Sequence, residues 1–431
     1  MKMLLKGGTL IDPASHREGQ TDLLIDKGKV AGVGKDLSAN GAKVVEVDGL
    51  WVTPGLIDMH VHFRQPGRED KETIESGSRA ATKGGFTSVC PMANTEPVVD
   101  HRGLVEFILQ EAQRVSLVRI YPIGAVTKGQ KGEELAELGE LYESGCVAFS
   151  DDGHPIQSSL VMRRALEYTG MYGLPIIVHA QDAPLFSEGV MNEGYMSTVL
   201  GLRGIPPECE SIMVARDIEL ARLTKGRVHF AHVSTTRSLE LISEAKRGKL
   251  LITCETAPHY FALTDQSLAS FDANFKMNPP LRAEADVASV KRFLKEGTID
   301  CIATDHAPHT EQEKDVELDA ASFGIVGLET ALGLGLTFLV QPGLLTIGEL
   351  VARMSVAPSR ILGLSKGSLA VGADADITVI DPKEKWTVRA EEFESKSKNS
   401  PFIGWELQGR AKMTIVAGKM VMRDERILGA E

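Results

Sequence analysis

From about residue 54 to residue 364 the chain alternates short apolar runs with helical stretches, and no other feature narrows its fold so far. The apolar runs have strand length and lie at 55–60, 88–92, 119–124, 147–150, 175–179, 228–232, 250–254 and 301–304. Helical patterning fills the intervals at 74–83, 102–112, 133–144, 159–169 and 285–295. Strand and helix in regular succession predict a parallel sheet. Eight such strands fit a closed (β/α)8 barrel of the TIM type, whose strand C-termini share one rim.

The two ends of the chain read differently. Residues 3–5, 9–11, 22–25, 29–33 and 43–47 are short β-rich runs separated by Gly and Asp turns, and the texture returns at 375–380 and 412–421. Residues 1–53 and 366–431 are therefore expected to build one small companion β-sandwich, with the barrel of residues 54–365 inserted between them. No internal repeat or low-complexity linker interrupts this plan.

The formal charge of −12 disfavours a polyanionic partner such as nucleic acid, and requires that a small anionic substrate meet a locally positive site. The apolar run at the N-terminus ends after two leucines, and no later stretch has spanning length, so neither leader nor membrane segment is expected. Cys90, Cys146, Cys209, Cys254 and Cys301 are scattered, with no Cys-x-x-Cys pair. They read as reduced, mostly buried thiols of a cytoplasmic protein.

Five of the expected strands end in groups able to bind a metal. His60 and His62 lie two apart, so the two-residue period of a strand turns both imidazoles to the same side. A lone strand histidine is more often a satisfied core residue. Here further His or Asp residues stand at four later strand ends: Asp151-Asp152, His179, His232 and Asp305. Adjacent strand residues face opposite ways, so spacing leaves the choice between Asp151 and Asp152 open. His229 competes with His232, which is favoured because it lies nearer the rim. Four imidazoles and two carboxylates suit zinc and similar cations, and six ligands suggest two ions sharing a carboxylate. Such a centre activates water and polarises a carbonyl, as amide hydrolysis needs. Asp305 beside it is placed to take a proton from water and return it to a leaving nitrogen. The plainer use of Asp305 would be a helix cap or turn.

Several ordered motifs carry a specific likeness. They are His60-Val61-His62-Phe63-Arg64-Gln65-Pro66-Gly67, Met92-Ala93-Asn94-Thr95, Ser150-Asp151-Asp152-Gly153, Val178-His179-Ala180, Cys254-Glu255-Thr256-Ala257-Pro258-His259, Lys276-Met277-Asn278-Pro279-Pro280-Leu281-Arg282 and Thr304-Asp305-His306-Ala307-Pro308-His309. With Gly372-Ala373-Asp374-Ala375-Asp376 near the end, the chain resembles the amidohydrolase superfamily and, within it, dihydroorotases of the longer bacterial class. The resemblance implies reversible cyclisation of N-carbamoyl-L-aspartate to dihydroorotate in pyrimidine synthesis, with one or two Zn2+ per chain. It selects Asp152 as the metal-binding aspartate. It further implies that Arg64, Asn94 and His309 hold the substrate carboxylate, while Asn278 and the Phe323-Gly324 backbone contact the ring. It implies a homodimer and leaves open a complex with aspartate transcarbamoylase. Arg64 also fits on chemistry alone, since a guanidinium supplies the bidentate carboxylate grip an acidic protein must provide locally. An isolated Asn is more often a turn residue, and a lone His beyond a strand is often a surface group.

Hydantoinases and allantoinases bridge two metals with a carboxylated lysine at the end of strand four. Here that place reads Val147-Ala148-Phe149-Ser150-Asp151-Asp152, without lysine. A silent scaffold bound to aspartate transcarbamoylase is a further alternative, but such chains lack ligand histidines that this one keeps. His229, His259 and His306 read as groups that orient ligands. The charged stretch 310–323 reads as a rim loop able to order over substrate.

Overall fold

A computed structural model describes residues 2–429. Its centre is an eight-stranded parallel barrel. The strands are Leu56–Val61, Phe86–Pro91, the interrupted pair Arg119–Ile120 and Ile123–Gly124, Ala148–Ser150, Ile176–Val178, Val228–Phe230, Ile252–Thr256 and Cys301–Ile302. Each pairs in parallel with its neighbour. Closure comes from a parallel bridge between Val61 and His306, with the His62 N–H donating to the His306 carbonyl at 2.9 Å. The buried Asp58 carboxylate reinforces this join by accepting from the backbone N–H groups of both His60 and Thr304.

The expected strands all exist, displaced by one to a few residues at their ends. Helices Ile74–Lys83, Arg102–Val115, Ser159–Thr169 and Glu284–Glu296 fall where the pattern put them, and Glu208–Thr224 and Thr236–Arg247 complete the sequence of crossovers. The helix expected at 133–144 is shorter, Leu138–Glu143. Its first part instead bonds to an earlier segment, with Ala136 N–H donating to Val126 O and Lys128 N–H to Glu134 O. Tertiary pairing has overridden local helix propensity there. Inside the barrel, Met59, Cys90, Ile123, Ala148, Ile177 and Cys301 form one apolar cluster with Ala357 and Ile361 of the last helical segment. The larger core lies between the barrel strands and the helices around them.

Two further sheets are built from the segments that flank the barrel in sequence. One has four strands, in the order Lys29–Gly34, Asp22–Asp26, Lys2–Lys6, Lys43–Glu46. The other has seven and pairs the N-terminal strands Thr9–Asp12 and Trp51–Pro54 with the C-terminal Ile377–Thr387 and Glu406–Val416. Leu5, Leu23, Ile25, Val52, Ile377, Val379 and Ile415 share a second core between these sheets. Strand Arg17–Gln20 was not legible in advance because every residue in it is exposed, which leaves no apolar alternation to read.

All five cysteines are buried and unpaired. Among the described residues, no helix is long and apolar enough to cross a membrane.

Candidate metal centre

The C-terminal ends of the barrel strands bring six side chains to one point. His60 is the penultimate residue of its strand and His62 follows directly after the strand. His179 comes directly after Ile176–Val178, His232 follows Val228–Phe230, Asp152 follows Ala148–Ser150, and Asp305 lies beyond Cys301–Ile302. All six are nearly inaccessible to solvent. Asp152 is the hub. Its Oδ1 lies 3.6 Å from His60 Nε2, 3.6 Å from His179 Nδ1 and 3.4 Å from His232 Nε2, while its Oδ2 lies 3.5 Å from His62 Nε2. Asp305 Oδ1 stands 3.1 Å from His62 Nε2 and 3.4 Å from His60 Nε2.

These spacings fit ligands converging on a cation. Two donors about 2.0–2.1 Å from one tetrahedral ion lie about 3.4 Å apart. His60 Nε2 and Asp152 Oδ1 are fully buried yet have no hydrogen-bond partner, a costly condition unless something else satisfies them. The donors fall into overlapping groups, His60/His62/Asp152 and Asp152/His179/His232, with Asp152 common to both. A third group, His60/His232/Asp305, adds the second carboxylate. The residues therefore fit divalent-ion binding, with Asp152 placed to serve two ions.

Neighbouring groups fix the ligands from behind. Glu255 Oε1 takes His60 Nδ1 at 2.7 Å, and its Oε2 is 3.2 Å from His229 Nε2, whose Nδ1 meets Thr253 Oγ1 at 2.8 Å. Asn94 Oδ1 lies 2.8 Å from His62 Nδ1. Gln181 Oε1 lies 2.9 Å from His179 Nε2 and also accepts from Asn278 Nδ2 at 2.8 Å. An imidazole whose outer nitrogen is committed to an acceptor presents the other one unprotonated to a metal. Burial alone would raise the pKa of Asp305, but His60 and His62 outweigh it and hold the carboxyl at about 2. Asp152 is likewise held well below the usual range, burial being overcome by His60 and the other imidazoles.

Backbone strain gathers at the same rim. Arg64, His232 and Asp305 all have positive φ, at 58°, 35° and 48°. Non-glycine residues there cost about 1–3 kcal/mol each and persist where function requires the geometry. Because His232 departs from extended backbone, its direction could not have been derived from a strand alternation with His229.

The other expected site residues arrive at this mouth. Arg64 donates from Nε to Pro308 O at 3.3 Å, and its Nη2 faces His309 Nε2 at 3.4 Å. Burial, with Arg64 and Lys71 alongside, pushes His309 down to about 2, so its ring is neutral at pH 7. Gly324 sits directly on this histidine. Its φ is +147°, and a Cβ there would come within 2.8 Å of Ala307 O and His309 Cδ2. Phe323 lies under the ammonium of Lys276 at 4.5 Å and beside Phe186 at 5.9 Å. Asp151 turns away, accepting from the N–H groups of Val126 and Thr127. His306 meets Glu72 at 3.2 Å, whereas the buried Nε2 of His259 has no partner. In the 310–323 stretch a short helix, Glu311–Lys314, forms, and Glu313 pairs with Lys71 at 2.8 Å and Arg68 at 3.1 Å.

Sequence reasoning passed over Glu255, Gln181 and Lys71. Only Glu255 carried a usable signal, an acid at the rim end of an otherwise apolar and β-branched strand.

Known proteins bear the same stamp. Residues 49–238 match the family described as Dihydro-orotase-like, and residues 211–422 match the amidohydrolase family. A dihydroorotase of Citrifermentans bemidjiense is 53% identical, covering 98% of this chain and 99% of the relative. One from Acetivibrio thermocellus is 51% identical, covering 99% of this chain and all of the relative. Among solved structures, an L-hydantoinase (dihydropyrimidinase) from Arthrobacter aurescens superposes with a TM-score of 0.90 at 25% identity, covering 99% of this chain and 97% of that one. A dihydropyrimidinase from Brevibacillus agri shares the fold with a TM-score of 0.86, over the whole of this chain and 96% of its own. Full-length identity above one half, joined to buried His/Asp clusters at a barrel rim, leads to one conclusion: this chain belongs to the dihydroorotase family of the amidohydrolases.

Proposed function

We propose that the chain interconverts N-carbamoyl-L-aspartate and (S)-dihydroorotate in de novo pyrimidine synthesis, using zinc, one or two ions per chain, held by His60, His62, Asp152, His179, His232 and Asp305. The observation that carries this reading is the meeting at one rim of a shared Asp152, four buried imidazoles and the Arg64–His309 pair. When bound, the ion supplies a polarised carbonyl and a water that ionises near pH 7.

The side chains supply the rest. The Arg64 guanidinium faces a neutral His309, so Arg64 carries the positive charge that attracts a carboxylate while the histidine ring remains a polar contact. Asn94 stands beside His62 and Asn278 beside His179, and the reading assigns them to the substrate carboxylate and the ring respectively. Gly324 lets the backbone after Phe323 lie directly against Ala307 and His309, where a Cβ would collide, and the reading gives that backbone the contact to the ring. Asp305 is held ionised and therefore ready to accept a proton. In hydrolysis it takes that proton from the attacking water and returns it to the ring nitrogen as the C–N bond breaks. In synthesis the carbamoyl nitrogen attacks the side-chain carboxylate carbon, and Asp305 takes the nitrogen's proton and passes it to the departing carboxylate oxygen, which with one further proton from solvent leaves as water.

The same reading divides the chain into a barrel, 54–365, and a companion domain, 1–53 with 366–431. It supports a homodimer and a complex with aspartate transcarbamoylase as partners to be sought. Five buried free thiols favour a reducing compartment such as the cytoplasm.

A substrate panel tests the function. Purified zinc-loaded protein should turn over dihydroorotate and N-carbamoyl-L-aspartate, and not hydantoin, dihydrouracil or allantoin. Preference for any of the latter three would reassign the substrate.

A further inference from the structure

After strand Ile377–Thr387 the chain does not pass directly to its antiparallel partner Glu406–Val416. It first returns to the barrel and lies along it. There the Lys396 N–H donates to Glu72 Oε1 at 3.0 Å and Ser397 Oγ to Lys71 O at 2.7 Å. Asn399 is a further anchor of this strap and is buried.

The Asn399 side chain bonds to the backbone of two expected substrate contacts, His309 and Gly324, and to that of Ala307, which lies against Gly324. Its Oδ1 accepts the His309 N–H at 3.1 Å. Its Nδ2 donates to Ala307 O at 3.0 Å and to Gly324 O at 3.1 Å. Its own carbonyl accepts the Val326 N–H at 3.0 Å. A buried asparagine usually completes a local turn. These partners are instead 75–92 residues away in sequence. Because Gly324 has no room for a Cβ against Ala307 and His309, the two segments are in direct contact, and a shift of one moves the other. Lys314 Nζ adds a second tie to Gly324 O at 3.0 Å.

We propose that Asn399 is a positioning residue for substrate binding: from outside the barrel it holds His309 and the Phe323-Gly324 backbone in the register that receives the substrate carboxylate and ring. It touches no substrate and no metal ligand. The inference rests on the reading of His309 and Phe323-Gly324 as substrate contacts.

Two variants test it in the zinc-loaded, full-length enzyme. Asn399→Ala deletes all three side-chain bonds. Asn399→Asp keeps an acceptor for His309 but turns a carboxylate oxygen toward two carbonyls, so it should be at least as severe. Both should raise KM for dihydroorotate about tenfold or more, with kcat and bound metal nearly unchanged at a temperature where the variants remain folded. Hydrogen exchange of peptides spanning residues 305–326 should quicken in both. Unchanged KM, or a fall in kcat and metal content at constant KM, would overturn the proposal. If the parent enzyme itself fails to turn over dihydroorotate, the site reading fails, and the exchange result alone decides whether Asn399 holds these segments.

Discussion

Glu255→Gln separates a metal-orienting role from mere packing at the heart of the centre. Glu255 is buried, and its two oxygens serve His60 and His229 at 2.7 and 3.2 Å. Glutamine keeps the volume but removes the charge and one acceptor. If its oxygen faces His60, its amide group must face His229 Nε2. A hydrogen bond to a charged group contributes about 1.5–3 kcal/mol and a neutral one about 0.5–1.5. The exchange should therefore cost about 1–2 kcal/mol in holding His60, or about 5–30-fold in metal affinity, at the lower end of the effects known for groups behind metal ligands. Competition with a chelating dye measures this directly. Turnover should fall at limiting zinc and recover when zinc is saturating. Metal affinity left within about twofold of the parent, or a loss of turnover that saturating zinc does not restore, would refute the reasoning.

Other perturbations address the remaining parts. Arg64→Lys keeps the charge but loses the fork that matches a carboxylate, so KM for dihydroorotate should rise about 10–100-fold with a smaller change in kcat. Asp305→Asn should lower kcat by about 10²–10⁴-fold in protein that melts like the parent, as expected for loss of a proton carrier; near-normal kcat would remove Asp305 from that role. Far from the site, Lys29 and Lys366 hold Asp374 at about 2, below its ordinary 3.8. A depressed carboxyl gives stability that is fully present above its unfolded value and lost as pH falls through the folded one. The difference in melting temperature between the parent and Asp374→Asn should therefore shrink as pH drops from about 4 to about 2. A constant gap would contradict the assignment.

The barrel was legible because its strands read as short apolar runs separated by stretches several of which carry a helical period, though Glu208–Thr224 and Thr236–Arg247 were not among those expected. It was legible also because catalytic groups of this fold gather at strand C-termini whatever their distance in sequence. That is why His60 and Asp305 could be joined on paper. Side-chain direction was less accessible. Neither the positive φ of His232 nor the turn that sends Asp151 to the Thr127 backbone and Asp152 to the imidazoles has a signature in residue type. The deepest omission, Asn399 behind His309, is a single polar residue whose meaning depends wholly on long-range partners. Strand Arg17–Gln20 failed for a related reason: its pairing is made by backbone alone, and backbone bonds leave no trace in the side-chain pattern.

Returning zinc stepwise to chelator-stripped protein, with bound metal and dihydroorotate turnover followed together, puts the whole assignment at risk in one titration. Activity should be absent at first and rise in proportion to metal bound, reaching a plateau at one or two ions per chain. Full turnover by the stripped protein, or stoichiometric zinc binding without turnover, would contradict a metal centre built from His60, His62, Asp152, His179, His232 and Asp305.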